Sequence, residues 1–96
     1  MEIEKVVKEK REEIIRIARR HGAVNIRLFG SVARGDPGAS SDVDFIVEVG
    51  RDPSPWFPAG LVVDLEELLG RRVHVVTDGA LHPYIRERVT QEAVPL

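Results

Sequence analysis

The chain has 96 residues, a formal net charge of −2 at pH 7 and no cysteine. This length suits one domain with one modest core, so we expect a single domain over residues 1–96. The absence of cysteine excludes disulfides, thiolate catalysis and cysteine-based zinc sites. The charge gives no electrostatic case for nucleic acid or membrane as the main partner. Without an apolar signal core or a bilayer-spanning run, a cytoplasmic protein is expected.

The N-terminal segment is predicted to be one amphipathic helix from Glu2 to Arg20. Apolar residues recur on one face at spacings of three and four, and charged residues occupy the other. Lys10 interrupts the apolar face and is expected to lie at its edge with its stem packed. Gly22 is predicted to stop the helix. Because glutamates are interleaved with the basic residues, the charges indicate a solvated face rather than a nucleic-acid-binding arm.

The first strand is predicted from Val24 to Phe29, where Val24, Ile26 and Leu28 alternate with polar residues. A short helix is predicted from Ser31 to Arg34, with its N-terminal amides facing a ligand. A Gly-Asp-Pro-Gly sequence then breaks the helix, and a polar loop follows.

The second strand is predicted from Asp42 to Val49. Four of its residues are expected on the core face: Val43, Phe45, Val47 and Val49. The prolines between Gly50 and Pro58 predict a loop. Trp56 and Phe57 in this loop are typical of a base-stacking platform or of aromatic anchors, and we favour anchors that pin the loop to the core.

The C-terminal part predicts a helix from Ala59 to Leu69 and a third strand from Arg72 to Thr77. A last helix is predicted to start near His82, and Pro95 is expected to end regular structure. Together the elements predict an α/β (α+β) domain with one small mixed sheet of three, or four, strands flanked by helices. The helix between the first two strands is too short for a full crossover, which favours an antiparallel pair.

Two short motifs carry the chemistry of the chain. Gly30 allows backbone amides to approach a ligand closely, and the Ser31 hydroxyl is suited to capping a helix or reaching a phosphate oxygen. Asp42 and Asp44 are two apart on a predicted strand, so their side chains share one face. Two carboxylates facing a phosphate-binding turn form a site for Mg²⁺ and a nucleoside triphosphate.

These residues also have purely structural interpretations. Ser31 is a plain helix cap in that case, and Asp42, which follows two serines, is a turn or cap residue. Asp44 lies between apolar residues in a strand, where aspartate is disfavoured. That position favours function for the pair of carboxylates.

The spacing of Gly30-Ser31 and Asp42-Val43-Asp44 resembles the signature of the DNA polymerase beta nucleotidyltransferase superfamily. The surrounding residues are similar to its minimal nucleotidyltransferase (MNT) branch. This resemblance implies a palm-like fold and transfer of a nucleoside monophosphate to a hydroxyl, with ATP as the expected donor of AMP. It also implies that Gly30 and Ser31 hold triphosphate oxygens, and that Asp42 and Asp44 hold divalent ions, Mg²⁺ or Mn²⁺.

Many MNT proteins are encoded beside a small helical HEPN-type toxin, a ribonuclease, and act as its antitoxin, some by adding AMP to it. The resemblance therefore implies an antitoxin that modifies a hydroxyl on a HEPN-type partner. Two alternatives stay open. One is a weak or inactive antitoxin that neutralises its partner by complex formation, and the other is a nucleotide-binding module.

One position departs from the family pattern. The third carboxylate, usual on the next strand, is replaced by His74, which removes one negative charge from the site. A neutral imidazole can accept a proton or ligate a transition metal such as Mn²⁺ or Zn²⁺. Three interpretations follow: a working site with His74 as base or ligand, nucleotide binding without turnover, and a protein that acts only by binding its partner.

Overall fold

The computed structural model of the chain describes residues 3–33, 42–80, 87, 91 and 93–96. Its helices and strands are α1 (Ile3–Glu9), α2 (Arg11–Arg20), β1 (Ala23–Phe29), α3 (Gly30–Ala33), β2 (Val43–Val49), α4 (Ala59–Leu69), β3 (Val73–Thr77) and β4 (Val94–Pro95). A single 3₁₀ turn at Asp78–Ala80 follows β3. The predicted polar loop after Arg34 and the start of the last helix at His82 lie outside the described residues. None of the helices in the described ranges is long and apolar enough to cross a membrane.

The sheet is mixed, as predicted, and has the order β3-β2-β1-β4. β1 is antiparallel to β2, and β2 is parallel to β3, with α4 as the crossover between the parallel strands. The short β4 adds a fourth strand beside β1. Pro95 is the last residue of β4, and only Leu96 follows it. An edge strand tolerates proline because its outer side needs no ladder donor.

The core lies between one face of the sheet and helices α1, α2 and α4. Alternate residues of the strands supply the sheet side, and Leu61 and Leu65 of α4 are fully buried. The strand residues of this cluster are Ala23, Ile26, Leu28, Val43, Phe45, Val47 and Val73. Because residues on the core face alternate with the rest, Asp44 and His74 lie on the opposite face of the sheet.

The predicted N-terminal helix is divided in two at Lys10, so the prediction of one continuous helix was wrong. Lys10 has φ −100° and ψ 15°. Its Nζ donates a hydrogen bond of 3.1 Å to the carbonyl of Leu68 in the last turn of α4. That carbonyl has no partner within its own helix, so the lysine satisfies it. The apolar periodicity continues across Lys10, and the sequence therefore hides the break.

Two valines on the apolar faces predicted for the first two strands are exposed. The register between β1 and β2 shifts between Ala23 and Asn25, which turns Ala23 into the core and Val24 outward. Val24 is 59% exposed. Val49 is the last residue of β2, pairs with Ala23 and is 40% exposed. A bulge of this kind reverses the facing of the residues beyond it, and alternation alone does not reveal it.

The loop from Gly50 to Pro58 and helix α4 form as predicted. Phe57 packs against the core, whereas Trp56 is 78% exposed, so the anchoring role predicted for Trp56 was wrong. Gly70 ends α4 with φ 67°, and its amide donates to the carbonyl of Glu66. The left-handed conformation at this helix end is the one that glycine adopts most easily.

His21 holds the loop to the rest of the fold. Its Nε2 lies 2.6 Å from Oδ2 of Asp64 in α4, and its Nδ1 lies 3.1 Å from Oγ of Ser54. A carboxylate only accepts hydrogen bonds, so Nε2 carries a proton and donates a hydrogen bond to Asp64, while Nδ1 makes the second contact with the Ser54 hydroxyl. The amide of Ser54 also donates to the carbonyl of His21. One imidazole thus connects the turn after α2, the loop and α4.

Candidate nucleotide and metal site

The turn between β1 and α3 is built on Gly30. Its φ is 78°, a conformation that residues with a side chain rarely adopt. A Cβ at this position would lie 2.5 Å from Oδ2 of Asp44. The fully buried Val32 holds the start of α3 against the core. The absent side chain therefore lets the carboxylate of Asp44 lie directly against the backbone at the end of β1.

Asp44 is positioned by the central strand of the sheet. Val43 and Phe45 on either side of it are fully buried, which fixes the facing of the strand. In the register of the sheet, Asp44 stands opposite Phe29 of β1 and His74 of β3. These three residues form one row on the face of the sheet away from the core.

Asp42 and His74 meet at the same end of the sheet. The amide of Val43 donates to the carbonyl of Arg72, which aligns the starts of β2 and β3. Oδ2 of Asp42 lies 3.6 Å from Nε2 of His74, and the two side chains are 28% and 65% exposed. This separation is too long for a hydrogen bond and short enough for electrostatic attraction when the ring is protonated.

Strand β3 is tied to α4 by a side chain that the sequence analysis missed. Oε2 of Glu66 accepts a hydrogen bond of 3.0 Å from the amide of Val73, the residue before His74. Val73 is buried, so the backbone next to His74 is held from both sides. Glu66 carries no sequence signal for this role, since a glutamate on a helix surface is ordinary.

The structure brings together Gly30, Asp42, Asp44 and His74, and the roles predicted for them stay predictions. The backbone of Ser31 lies within α3, and the role predicted for its hydroxyl stays a prediction. Glu48 of β2 and Asp78 in the turn after β3 are acids outside the two motifs. They line a separate polar groove of about 210 Å³ with Asn25 and Arg27. Glu48 is four residues along β2 from Asp44, or about 13 Å at the usual rise of a strand.

The donor set fits a divalent ion that is shared with a nucleotide. Among the residues that the structure describes, no three of His, Asp or Glu form a group able to hold an ion by themselves. Mg²⁺ is commonly bound through one or two carboxylates together with substrate phosphates and water. Asp42 and Asp44 can therefore supply the protein share of such a site, and the phosphates would supply the rest.

A mixed sheet with a glycine turn at the end of one strand, and two carboxylates at the start of the next, defines the minimal nucleotidyltransferase class. The fold and the motif residues of this chain meet that description. The chain belongs to the nucleotidyltransferase domain family, whose sequence profile matches residues 3–96.

Relatives of known name cover nearly the whole chain. A Methanocaldococcus jannaschii protein named as a candidate protein adenylyltransferase is 38% identical over 88 residues, which is 92% of this chain and 95% of that protein. The protein adenylyltransferase MntA of Thermococcus cleftensis is 36% identical over 93 residues, which is 97% of this chain and 91% of MntA.

Solved structures agree with the fold. A structure described as a minimal nucleotidyltransferase matches with a TM-score of 0.88 at 42% identity and covers 100% of this chain and 97% of that one. A toxin–antitoxin complex with AMP-PNP matches with a TM-score of 0.74 at 22% identity, over 88% of this chain and 69% of that one. At this identity the second likeness shows the fold alone.

Proposed function

We propose that this protein is a metal-dependent nucleotidyltransferase that transfers AMP from ATP to a hydroxyl on a partner protein. The observation that carries the proposal is the contact between the Gly30 turn and the carboxylate of Asp44, with Asp42 at the same end of the sheet. The relatives named as protein adenylyltransferases support AMP as the group transferred and a protein as the acceptor.

In this proposal Gly30 and Ser31 hold oxygens of the triphosphate, and Asp42 and Asp44 hold Mg²⁺ or Mn²⁺. A bound ion stabilises the charge on the attacking and leaving oxygens of an in-line displacement. The acceptor hydroxyl forms a bond to the α-phosphorus, the bond from that phosphorus to the bridging oxygen breaks, and pyrophosphate leaves. The hydroxyl proton passes to His74 or to water, and the first route requires a neutral imidazole.

The proposed biological role is that of a cytoplasmic antitoxin that modifies a small helical HEPN-type toxin. MntA of Thermococcus cleftensis carries the name protein adenylyltransferase, and a second structure of similar fold is described as the toxin–antitoxin pair MntA-HpeT. A second candidate is an antitoxin that neutralises its partner by complex formation alone. His74 favours it, because the imidazole leaves the site one negative charge short.

Labelled ATP incubated with the protein and its genomic neighbour, with Mg²⁺ or Mn²⁺, tests the proposal. We expect label on the partner, loss of label in the double variant Asp42→Ala/Asp44→Ala, and unchanged transfer by Glu48→Gln. If the partner is neutralised without receiving label, and if the double variant also neutralises it, complex formation alone would be favoured. Transfer that survives the double variant would refute the site assignment.

A further inference from the structure

His74 and Asp42 are close enough for their side chains to belong to one site. Nε2 of His74 lies 3.6 Å from Oδ2 of Asp42. No direct hydrogen bond forms at this distance. Two adjacent donor atoms that each bind one ion at about 2.1 Å are about 3.0 Å apart at a right angle and about 3.4 Å apart at the tetrahedral angle. The observed gap is slightly longer than these separations, and a small rotation of the exposed His74 side chain would close it.

The pair is held in place and open to solvent. The hydrogen bond from the amide of Val73 to Glu66 and the burial of Val73 fix the backbone beside His74. The backbone bond between Val43 and Arg72 fixes the backbone beside Asp42. The His74 side chain is 65% exposed, so an ion and a nucleotide reach it without a rearrangement of the core.

The chemistry of these donors does not favour Mg²⁺. Magnesium prefers oxygen ligands and near-ideal octahedral geometry, whereas imidazole nitrogen suits first-row transition metals. An imidazole also contributes no negative charge, which weakens the purely electrostatic attraction on which a hard cation depends. His74 therefore compensates for the missing carboxylate only when the bound ion accepts a nitrogen ligand.

We propose that His74 is a metal ligand and that, with Asp42, it makes the site selective for a divalent transition-metal ion such as Mn²⁺ over Mg²⁺. This inference rests on the proposed nucleotidyltransferase function and assigns the imidazole to the ion rather than to the acceptor proton. His74 is then a determinant of metal specificity.

Metal binding measured without turnover tests the inference. Mn²⁺ affinity is obtained from the loss of the electron paramagnetic resonance signal of free Mn²⁺, in the presence of a non-hydrolysable ATP analogue. Mg²⁺ affinity follows from competition with Mn²⁺. The samples are the wild-type chain, His74→Gln, His74→Asp and the control Glu48→Gln, which removes a carboxylate from the same sheet face outside the site. Co²⁺ absorption provides an independent signature of nitrogen ligation.

We expect His74→Gln to lower Mn²⁺ affinity at least about tenfold, since even residues behind a metal ligand are worth about 10–100-fold. Its Mg²⁺ affinity should change little. His74→Asp should raise Mg²⁺ affinity and lower the Mn²⁺ to Mg²⁺ preference, while Glu48→Gln should leave both affinities unchanged. Co²⁺ absorption should weaken in both His74 variants.

Equal Mn²⁺ affinity in the wild type and His74→Gln would overturn the inference, because it would leave His74 as an ion-pair partner or base. A failure of the proposed function gives a different result. In that case the ATP analogue fails to bind the wild-type chain with any of these metals, or labelled AMP is not transferred although metal binding follows the expected order.

Discussion

Oδ2 of Asp44 lies where a side chain on Gly30 would have to be, 2.5 Å from the position of its Cβ. The glycine directly follows β1, the carboxylate belongs to the adjacent antiparallel strand β2, and the two residues are 14 positions apart in the chain. Their contact makes the turn and the acid one structural unit. A change at Gly30 must therefore act on Asp44 as well as on the local backbone.

Gly30→Ala is expected to destabilise the fold by about 1–3 kcal/mol, the usual range for a side chain at a left-handed backbone position. It should also displace the Asp44 carboxylate and weaken binding of an ATP analogue. Gly70→Ala is a matched control, because Gly70 has φ 67° and a Cβ there would meet none of the described residues within 4 Å beyond its chain neighbours. Thermal denaturation and calorimetric titration measure both effects. Equal losses of nucleotide affinity in the two variants would show that the contact between Gly30 and Asp44 has no specific effect on nucleotide binding.

Asp44→Asn keeps the shape of the side chain and removes its charge. We expect AMP transfer to fall on the order of a hundredfold or more, since a metal ligand supplies several kcal/mol of transition-state stabilisation. The free energy of unfolding, measured in parallel, separates a loss of rate from a loss of fold. Single-turnover transfer of labelled AMP gives the rate, and Glu48→Gln serves as the control. A rate within twofold of wild type would remove Asp44 from the site.

Glu66→Ala removes the acceptor for the amide of Val73. The free energy of unfolding should fall by about 1.5–3 kcal/mol, the usual worth of a hydrogen bond to a charged group. Glu66→Gln retains an oxygen acceptor and should lose less. Hydrogen exchange resolved at single amides provides the local readout, with faster exchange at Val73 in Glu66→Ala. Unchanged exchange there would show that the side chain does not hold β3.

His21→Ala should reduce the free energy of unfolding by about 1–3 kcal/mol, because Asp64 and Ser54 each lose a partner in a half-buried position. Ser54→Ala removes only the weaker of the two contacts and should cost less. Transfer per folded molecule should be unchanged in both variants, since His21 precedes β1 and the Gly30 turn follows it. Urea denaturation and single-turnover assays measure the two quantities. A selective loss of transfer in folded His21→Ala protein would contradict this separation.

Local patterns predicted most of the elements, and tertiary contacts account for the errors. Helix α4 was predicted with its observed bounds because Leu61, Leu65 and Gly70 all point to the same helix. Lys10, at the break, contacts the carbonyl of Leu68, 58 residues away, which no local window contains. The exposure of Val24 depends on a bulge, and that of Trp56 on a loop held by His21 instead.

The residues of the site also separate into those that the sequence indicated and one that only the structure reveals. Gly30, Asp42 and Asp44 were selected because their spacing repeats a known motif, and His74 because it stands where that motif has an acid. The sheet brings the four residues to one end, and their roles remain predictions. Glu66 was missed because it accepts a hydrogen bond from a backbone amide, and every residue except proline has such an amide. The hydroxyl of Ser31, the ions, the HEPN-type partner and the single-domain organisation remain predictions.

The ring of His21 links distant parts of this chain through hydrogen bonds, as disulfides link distant parts of many small proteins. Its two nitrogens connect His21 to Ser54 and to Asp64, which are 33 and 43 positions further along the chain. The chain has no cysteine, so these links have no thiol chemistry. Oxidising and reducing conditions should therefore leave the architecture equally stable, and the fold does not depend on the redox state of its compartment.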